Sequence, residues 1–330
     1  MCYNTYMDNN IDYGAFEEAK SEYFKKQKST IVICLIILMF VLVPFLFVFA
    51  FVGPLFILLS PIVLAFFLLF FALVVGAVFS SYSQIGRMVF AKQYNQYKAA
   101  YKKYFVRRNM KKFFTKLVYS HKMGLPSQLI RDTGMINMGD RYHSNDYTQG
   151  KYKDVDFVQA DVTIQKVHND SEGKEHNTTI FKGRWMIFDF PKKFSFRLKV
   201  VSKKFGFASI DPGKNPKTKH KMKKVETESI TFNKEFSVYA DDEFEAFYLL
   251  DPSFIDNVEK LVQGKKHKII LCFVDNHLHI GVYDNQDFFE PPLREKDFIS
   301  EKDEDEKILS QIATITNFVD FLKLDHKIFK

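Results

Sequence analysis

His277 and His279 are the best-placed metal ligands in the chain, because a single residue separates them. In an extended strand that spacing sends both imidazoles from one face, with Asp275 and Asp284 nearby in sequence. Two ligands on one strand do not define a site, and a solvated strand face is the plainer reading. Asp241-Asp242-Glu243, with Glu245, offers carboxylate oxygens to a hard cation. It lacks the glycine and spaced oxygens of a calcium loop, so a solvated turn accounts for it more simply. Phe181-Lys182-Gly183-Arg184-Trp185 could build an aromatic and basic binding surface, although Phe and Trp in a strand are more often core.

The usual catalytic signatures are missing. Gly213-Lys214 has neither the preceding glycine nor the following Ser or Thr of a phosphate-cradling loop. There is no His-Glu-x-x-His helix and no Gly-x-Ser-x-Gly elbow. Cys2, Cys34 and Cys272 have no metal-ligand spacing, as expected in a reducing compartment. No cofactor is implied.

Charge points elsewhere. The chain is formally +8, yet twelve Lys and Arg residues and no acid lie between Arg87 and Arg131, so the remainder is net negative. Lys98, Lys102, Lys103, Arg107, Arg108, Lys111 and Lys112 form the densest part, as candidate ligands for anionic lipid headgroups. Each basic residue near such a surface contributes about 1 kcal/mol. The alternative is that these charges only fix orientation and solvate a helix. Nucleic acid is disfavoured as a partner, since no recognition motif accompanies the charge. Tyr94, Tyr97, Tyr101 and Tyr104 recur every three or four residues, an aromatic stripe on the same helix.

The element that would hold this basic segment beside a bilayer precedes it. From Ser29 to Gly86 there is no Asp, Glu, Lys, Arg or His, a run long enough for two spans of about 20 residues each. Gly53-Pro54 marks a break, predicting helices over 30–52 and 54–79 with Pro44 and Pro61 as kinks. A hairpin that dips in without crossing is an alternative. Lys20, Lys25, Lys26 and Lys28 precede the run, and Arg87 and Lys92 follow it. The connecting turn has no Lys or Arg, which puts both termini in the cytoplasm of a two-pass inner-membrane protein. A channel is disfavoured because nothing ionisable lines a path.

The expected organisation is a polar cytoplasmic segment (1–29) that reads as a solvated lead-in, a transmembrane helical hairpin (30–80), a basic juxtamembrane helix (81–124) and a cytoplasmic domain (125–330). In that domain, Asp156–Val167, Thr179–Phe190, Phe194–Val201 and Ser229–Tyr239 read as strands. Lys203–Lys224 reads as a mobile basic loop. Asp251-Pro252 opens a short helix closed by Gly264. Lys268–Val274 and His277–Tyr283 flank Asp275-Asn276 as a tight hairpin. Ile308, Ile312, Ile315, Val319 and Leu322 make Glu304–Leu322 an amphipathic helix. Strands followed by a helix predict an α+β fold with a largely antiparallel sheet, packed by short helices and this C-terminal helix.

Three stretches carry a likeness. These are Gly150-Lys151-Tyr152-Lys153-Asp154-Val155 with the strand after it, Phe181-Lys182-Gly183-Arg184-Trp185 through Asp189-Phe190-Pro191-Lys192-Lys193-Phe194, and Phe232–Phe254 ending in Leu249-Leu250-Asp251-Pro252. In them the chain resembles a bacterial two-pass membrane family known as domain of unknown function 3137. The resemblance implies architecture, two spans and a cytoplasmic domain, and no activity. The expected function is therefore a membrane-tethered, non-enzymatic binding or scaffolding module. Its partners would be the lipid bilayer and an unidentified membrane or cytoplasmic protein. A membrane-anchored hydrolase or other enzyme, its site assembled only in the fold, is the alternative.

Overall fold

The computed structural model describes residues 13–59, 91–190, 193–194, 196–203, 220–262, 268–322 and 324, together with residues 65, 69, 72 and 76. The chain divides into two compact units. One is Met1–Tyr104 with Pro291–Phe298, and the other is Phe105–Glu290 with Ile299–Lys330.

In the first unit, α1 runs Tyr13–Leu59 and α2 covers 91–101. The tyrosine stripe is packing. Phe16 stacks on Tyr104 at 5.9 Å between ring centroids, and Tyr23 stacks on Tyr97 at 5.2 Å. Phe16, Tyr23 and Phe24 are buried, so the start of α1 is a packed element and not the solvated lead-in its charges suggest. The Tyr97 hydroxyl donates to the Pro292 carbonyl at 3.3 Å, and the Tyr23 hydroxyl donates to that of Leu293 at 3.4 Å.

α1 also continues through Gly53-Pro54, where the sequence predicts a break. Pro54 removes one amide donor, and the helix nevertheless continues to Leu59. Among the described residues no helix is long and apolar enough to cross a membrane. The uncharged run extends past them, and the expected second helix, 54–79, lies largely outside them. Leu35, Met39 and Phe40 on α1 are exposed, Phe40 to 76%.

In the second unit the strands are β1 (Thr115–Ser120), β2 (Arg141–Tyr152), β3 (Val155–Asn169), β4 (Glu175–Asp189), β5 (Leu198–Ser202), β6 (Lys223–Val225), β7 (Phe236–Ala240), β8 (Lys268–Val274) and β9 (His277–Tyr283). They form one antiparallel sheet in the order β1-β2-β3-β4-β9-β8-β5-β7-β6. The α+β reading with a large antiparallel sheet holds. The helices are α3 (Ser127–Arg131), α4 (Ile230–Glu235), α5 (Glu243–Leu249), α6 (Pro252–Val262) and α7 (Glu301–Phe321).

Neighbouring strand residues point to opposite faces, which separates Trp185 from Arg184. Trp185 joins Phe181, Val162 and Ile187 in an apolar cluster closed by Leu125, Ile130 and Ile136. Arg184 faces the other way, towards α7, whose Ile308, Ile312 and Ile315 are buried.

Local signals explain most elements. The Asp251 carboxylate accepts from the Phe254 amide at 2.7 Å and opens α6, and the Ser300 hydroxyl accepts from the Asp303 amide at 3.1 Å and opens α7. Asp275, at φ +54°, sits in the two-residue turn between Val274 and His277. Elsewhere the expectation changes. The basic helix expected over 81–124 becomes a π-helical turn at Lys102–Arg107 and a last α-helical turn at Arg108–Met110, and β1 follows. Thr115, Val118 and Tyr119 suit a strand, and β2 offers them a free edge. Within Ser229–Tyr239 the Ser229 hydroxyl caps α4 by accepting from the Phe232 amide at 3.1 Å, so strand begins only at Phe236. The expected loop Lys203–Lys224 lies mostly outside the described residues.

Both sheet edges are interrupted. The β1–β2 register shifts between Thr115 and Val118, with Lys116 at φ +51°. β6 has three residues, two of them exposed lysines.

Candidate functional site

Two polar sites lie on opposite faces of β3, β4 and β9. The first is a cavity of about 270 Å³ lined by Asp132, Thr133, Asp189, Asp275, His277 and His279 over an apolar floor including Val158 and Ile187. The first strand residues of β9 supply the histidines. Pairing of His277 with Asp189, and of His279 with Ile187, puts both histidines on the cavity side.

Each imidazole has a distinct role. His277 Nε2 lies 3.2 Å from Asp189 Oδ1. Trp185 Nε1 donates to His279 Nδ1 at 3.3 Å, which leaves the ring proton of a neutral imidazole on Nε2. Burial pushes the His279 pKa down to about 3, and the charges of His277 and Arg197 add to the effect. His279 is therefore a neutral donor at physiological pH. Burial raises the Asp189 carboxyl, opposed by the charge of His277.

The lining holds one hydroxyl, that of Thr133, and it is already engaged. It donates to the Ile130 carbonyl at 2.7 Å and accepts from the Met135 amide at 3.2 Å. Arg197 Nη1 donates to the Asp132 carbonyl at 2.8 Å, which fixes this wall. The cavity can thus bind polar groups through imidazole and carboxylate, and among the described residues its lining presents no free hydroxyl or thiol nucleophile.

The second site is a buried acidic cluster. Asp161 on β3 stands opposite Arg184 on β4. The β2–β3 register shifts between Asn145 and Thr148, and Asp146 sits in that bulge at φ +57°. Asp287 comes from the loop after β9. Carboxylate oxygens of Asp146, Asp161 and Asp287 lie within 4.8 Å of one another, the first two residues buried and the third exposed.

Neighbours hold these groups individually. The Tyr119 hydroxyl donates to Asp146 Oδ1 and Asn145 Nδ2 donates to Asp146 Oδ2, both at 2.6 Å. The Phe288 amide donates to Asp161 Oδ2 at 2.7 Å. Arg184 Nη1 donates to the Gln311 carbonyl at 2.8 Å, and the guanidinium lies 3.8 Å from the Phe288 ring centroid. Asp161 Oδ1 and Arg184 Nε and Nη2 are buried without hydrogen-bond partners. Burial drives the Asp161 carboxyl well up, with Arg184 opposing, and drives Arg184 down.

The residues singled out by sequence fall unevenly. His277 and His279 share the cavity with carboxylates, but the three-ligand set found among the described residues is Asp146, Asp161 and Asp287. Of the basic candidates, Lys103, Lys111 and Lys112 are exposed, while Lys98 and Arg107 are half-buried. Lys102 is fully buried, and Arg108 reaches Glu301 at 3.0 Å and Asp305 at 2.6 Å. Asp242 caps α5 by accepting from the Phe244 and Glu245 amides at 2.9 and 3.1 Å. Trp185 is core, yet its indole orients His279. Sequence reading missed Asp146, Asp161 and Asp287, although an acid inside the apolar run Ala160-Asp161-Val162 was a usable signal.

Residues 179–324 match the family described as a protein of unknown function, DUF3137. This part of the chain is similar to that family. The DUF3137 region supplies Arg184, Trp185, Asp189, His277, His279 and Asp287, whereas Asp146 and Asp161 precede it. It thus holds both histidines and one carboxylate of the cluster, and it lies wholly outside α1. No curated protein matches the chain. Among solved structures, the mycobacterial trehalose monomycolate transport factor A, TtfA, is similar over 63% of this chain and 88% of its own, at 10% identity and a TM-score of 0.30.

Proposed function

We propose that the chain is a membrane-tethered, non-enzymatic binding or scaffolding module, with both termini at the cytoplasmic face of the inner membrane. The observation that carries this reading is the outer surface of α1. Leu35, Met39 and Phe40 are exposed within a run from Ser29 onward that contains no Asp, Glu, Lys, Arg or His. Such a surface gains by leaving water, and basic residues flank the run at both ends. Lys103, Lys111 and Lys112 are exposed and would meet anionic headgroups, and the cavity beside His277 would take a polar group of a bound partner.

Alkaline washing of membranes from cells making the full chain tests the tether, with the protein expected in the pellet. Release into the wash, or cleavage of a C-terminal tag by protease outside intact cells, overturns it. Photo-crosslinking from position 129 at the cavity rim should trap a discrete partner.

One observation favours an enzyme. Asp189 and His277 pair as a carboxylate and imidazole able to draw a proton from water. A hydrolytic activity of the purified chain that His277→Gln abolishes, with the fold intact, would establish that second reading.

A further inference from the structure

We propose that Asp146, Asp161 and Asp287 bind a hard divalent cation, magnesium or calcium, at the place where the β2 bulge, β3 and the loop after β9 converge. Ligand oxygens across a calcium ion are about 4.8 Å apart, and those around magnesium are closer. Three carboxylates within 4.8 Å of one another therefore already sit at ligand-to-ligand spacing. The donor set is oxygen alone, which suits hard cations over zinc or copper.

A second observation points to a ligand. Asp161 is buried, its Oδ2 is taken by the Phe288 amide, and its Oδ1 has no partner. A buried carboxylate oxygen left alone is costly, and a cation removes the cost. Arg184 offsets only part of that charge: its Nη1 donates to the Gln311 carbonyl, its guanidinium lies against the Phe288 ring, and no hydrogen bond links it to Asp161. Three carboxylates against one guanidinium leave a net negative charge for the ion to offset.

Tyr119 and Asn145 fix the Asp146 carboxylate by one hydrogen bond to each oxygen, as expected of groups that orient a metal ligand. Asp287 is exposed and gives the ion a path from solvent, with room for the waters that magnesium retains.

Calorimetric titration of the full chain, purified in detergent and stripped with chelator, tests the site with magnesium, calcium and manganese in turn. One saturable site is expected, together with a rise in Tm read from Trp185 fluorescence. The tightest ion identifies the occupant. Asp287→Asn and Asp161→Asn should each weaken binding at least tenfold, while Glu306→Gln, on the exposed face of α7, should leave it unchanged. Asp287 is exposed, so its variant keeps the test sound if the Asp161 variant fails to fold. Absence of saturable binding overturns the proposal, as does binding that both Asp variants retain. A Tm raised by mild acid and not by any of the three metals would also overturn it, because a proton would then close the cluster.

Discussion

Asp161 and Arg184 are cross-strand neighbours, both buried, and no hydrogen bond joins them. Each instead takes a partner from a different element: Asp161 from the Phe288 amide, Arg184 from the Gln311 carbonyl. The sheet, the loop after β9 and α7 are tied together at this point. Arg184→Met removes the only cation at the cluster that the described side chains supply and leaves facing carboxylates uncompensated. We expect a loss of about 3 kcal/mol. Asp161→Leu combined with Arg184→Met should lose less than the sum of the single changes, measured by thermal unfolding of the full chain through the fluorescence of its one tryptophan.

Gly183 has φ +155°, and a Cβ there would lie 2.0 Å from the Val282 carbonyl oxygen. That atom is backbone and cannot swing aside. Gly183→Ala should therefore separate β4 from β9 locally and lower stability on the order of 3 kcal/mol. Loss of amide protection in β9, measured by hydrogen exchange, checks it.

His279 gives the fold an acid-sensitive term. Its pKa is about 3 when folded and near 6.5 when unfolded, so the unfolded chain takes up the proton first as pH falls. The stability it contributes is whole above about pH 6.5 and declines towards pH 3, on the order of 1 kcal/mol per pH unit. The charged neighbours are His277, Arg197 and Asp275. His279→Gln keeps an acceptor for the Trp185 indole and should flatten the decline of Tm between pH 7 and pH 5.

Arg108 is an anchor within the second unit. Its pairs with Glu301 and Asp305 are partly exposed, so Arg108→Gln should cost about 1 kcal/mol, and less at high salt. Retention of anionic lipid by the purified chain, read by native mass spectrometry, should be unchanged. Replacing Lys103, Lys111 and Lys112 by Gln should reduce that retention.

The contrast among these residues shows what local pattern conveys. The β8–β9 hairpin, α6 and α7 were legible because caps, turn residues and apolar spacing all act within a few positions. The strand β2 was not: Arg141–Tyr152 is polar, and its alternation is broken at the Asp146 bulge. The cavity histidines stood out by spacing, but the role of Trp185 beside His279 depends on strand pairing across 94 positions. Asp161 and Asp287 carry no mutual signal either, since only the fold brings them together. The basic segment shows the opposite failing. Its charge was obvious, yet burial of Lys102 and the pairing of Arg108 withdraw two of its members from any external surface.

The two margins of the sheet bear on self-association. An unbroken strand at either border would template a neighbouring copy and seed fibrils. Here one border is kinked by a left-handed lysine and the other is a lysine-bearing stub. Among the described residues neither presents a flat, uncharged ladder, which disfavours copies zipping together backbone to backbone.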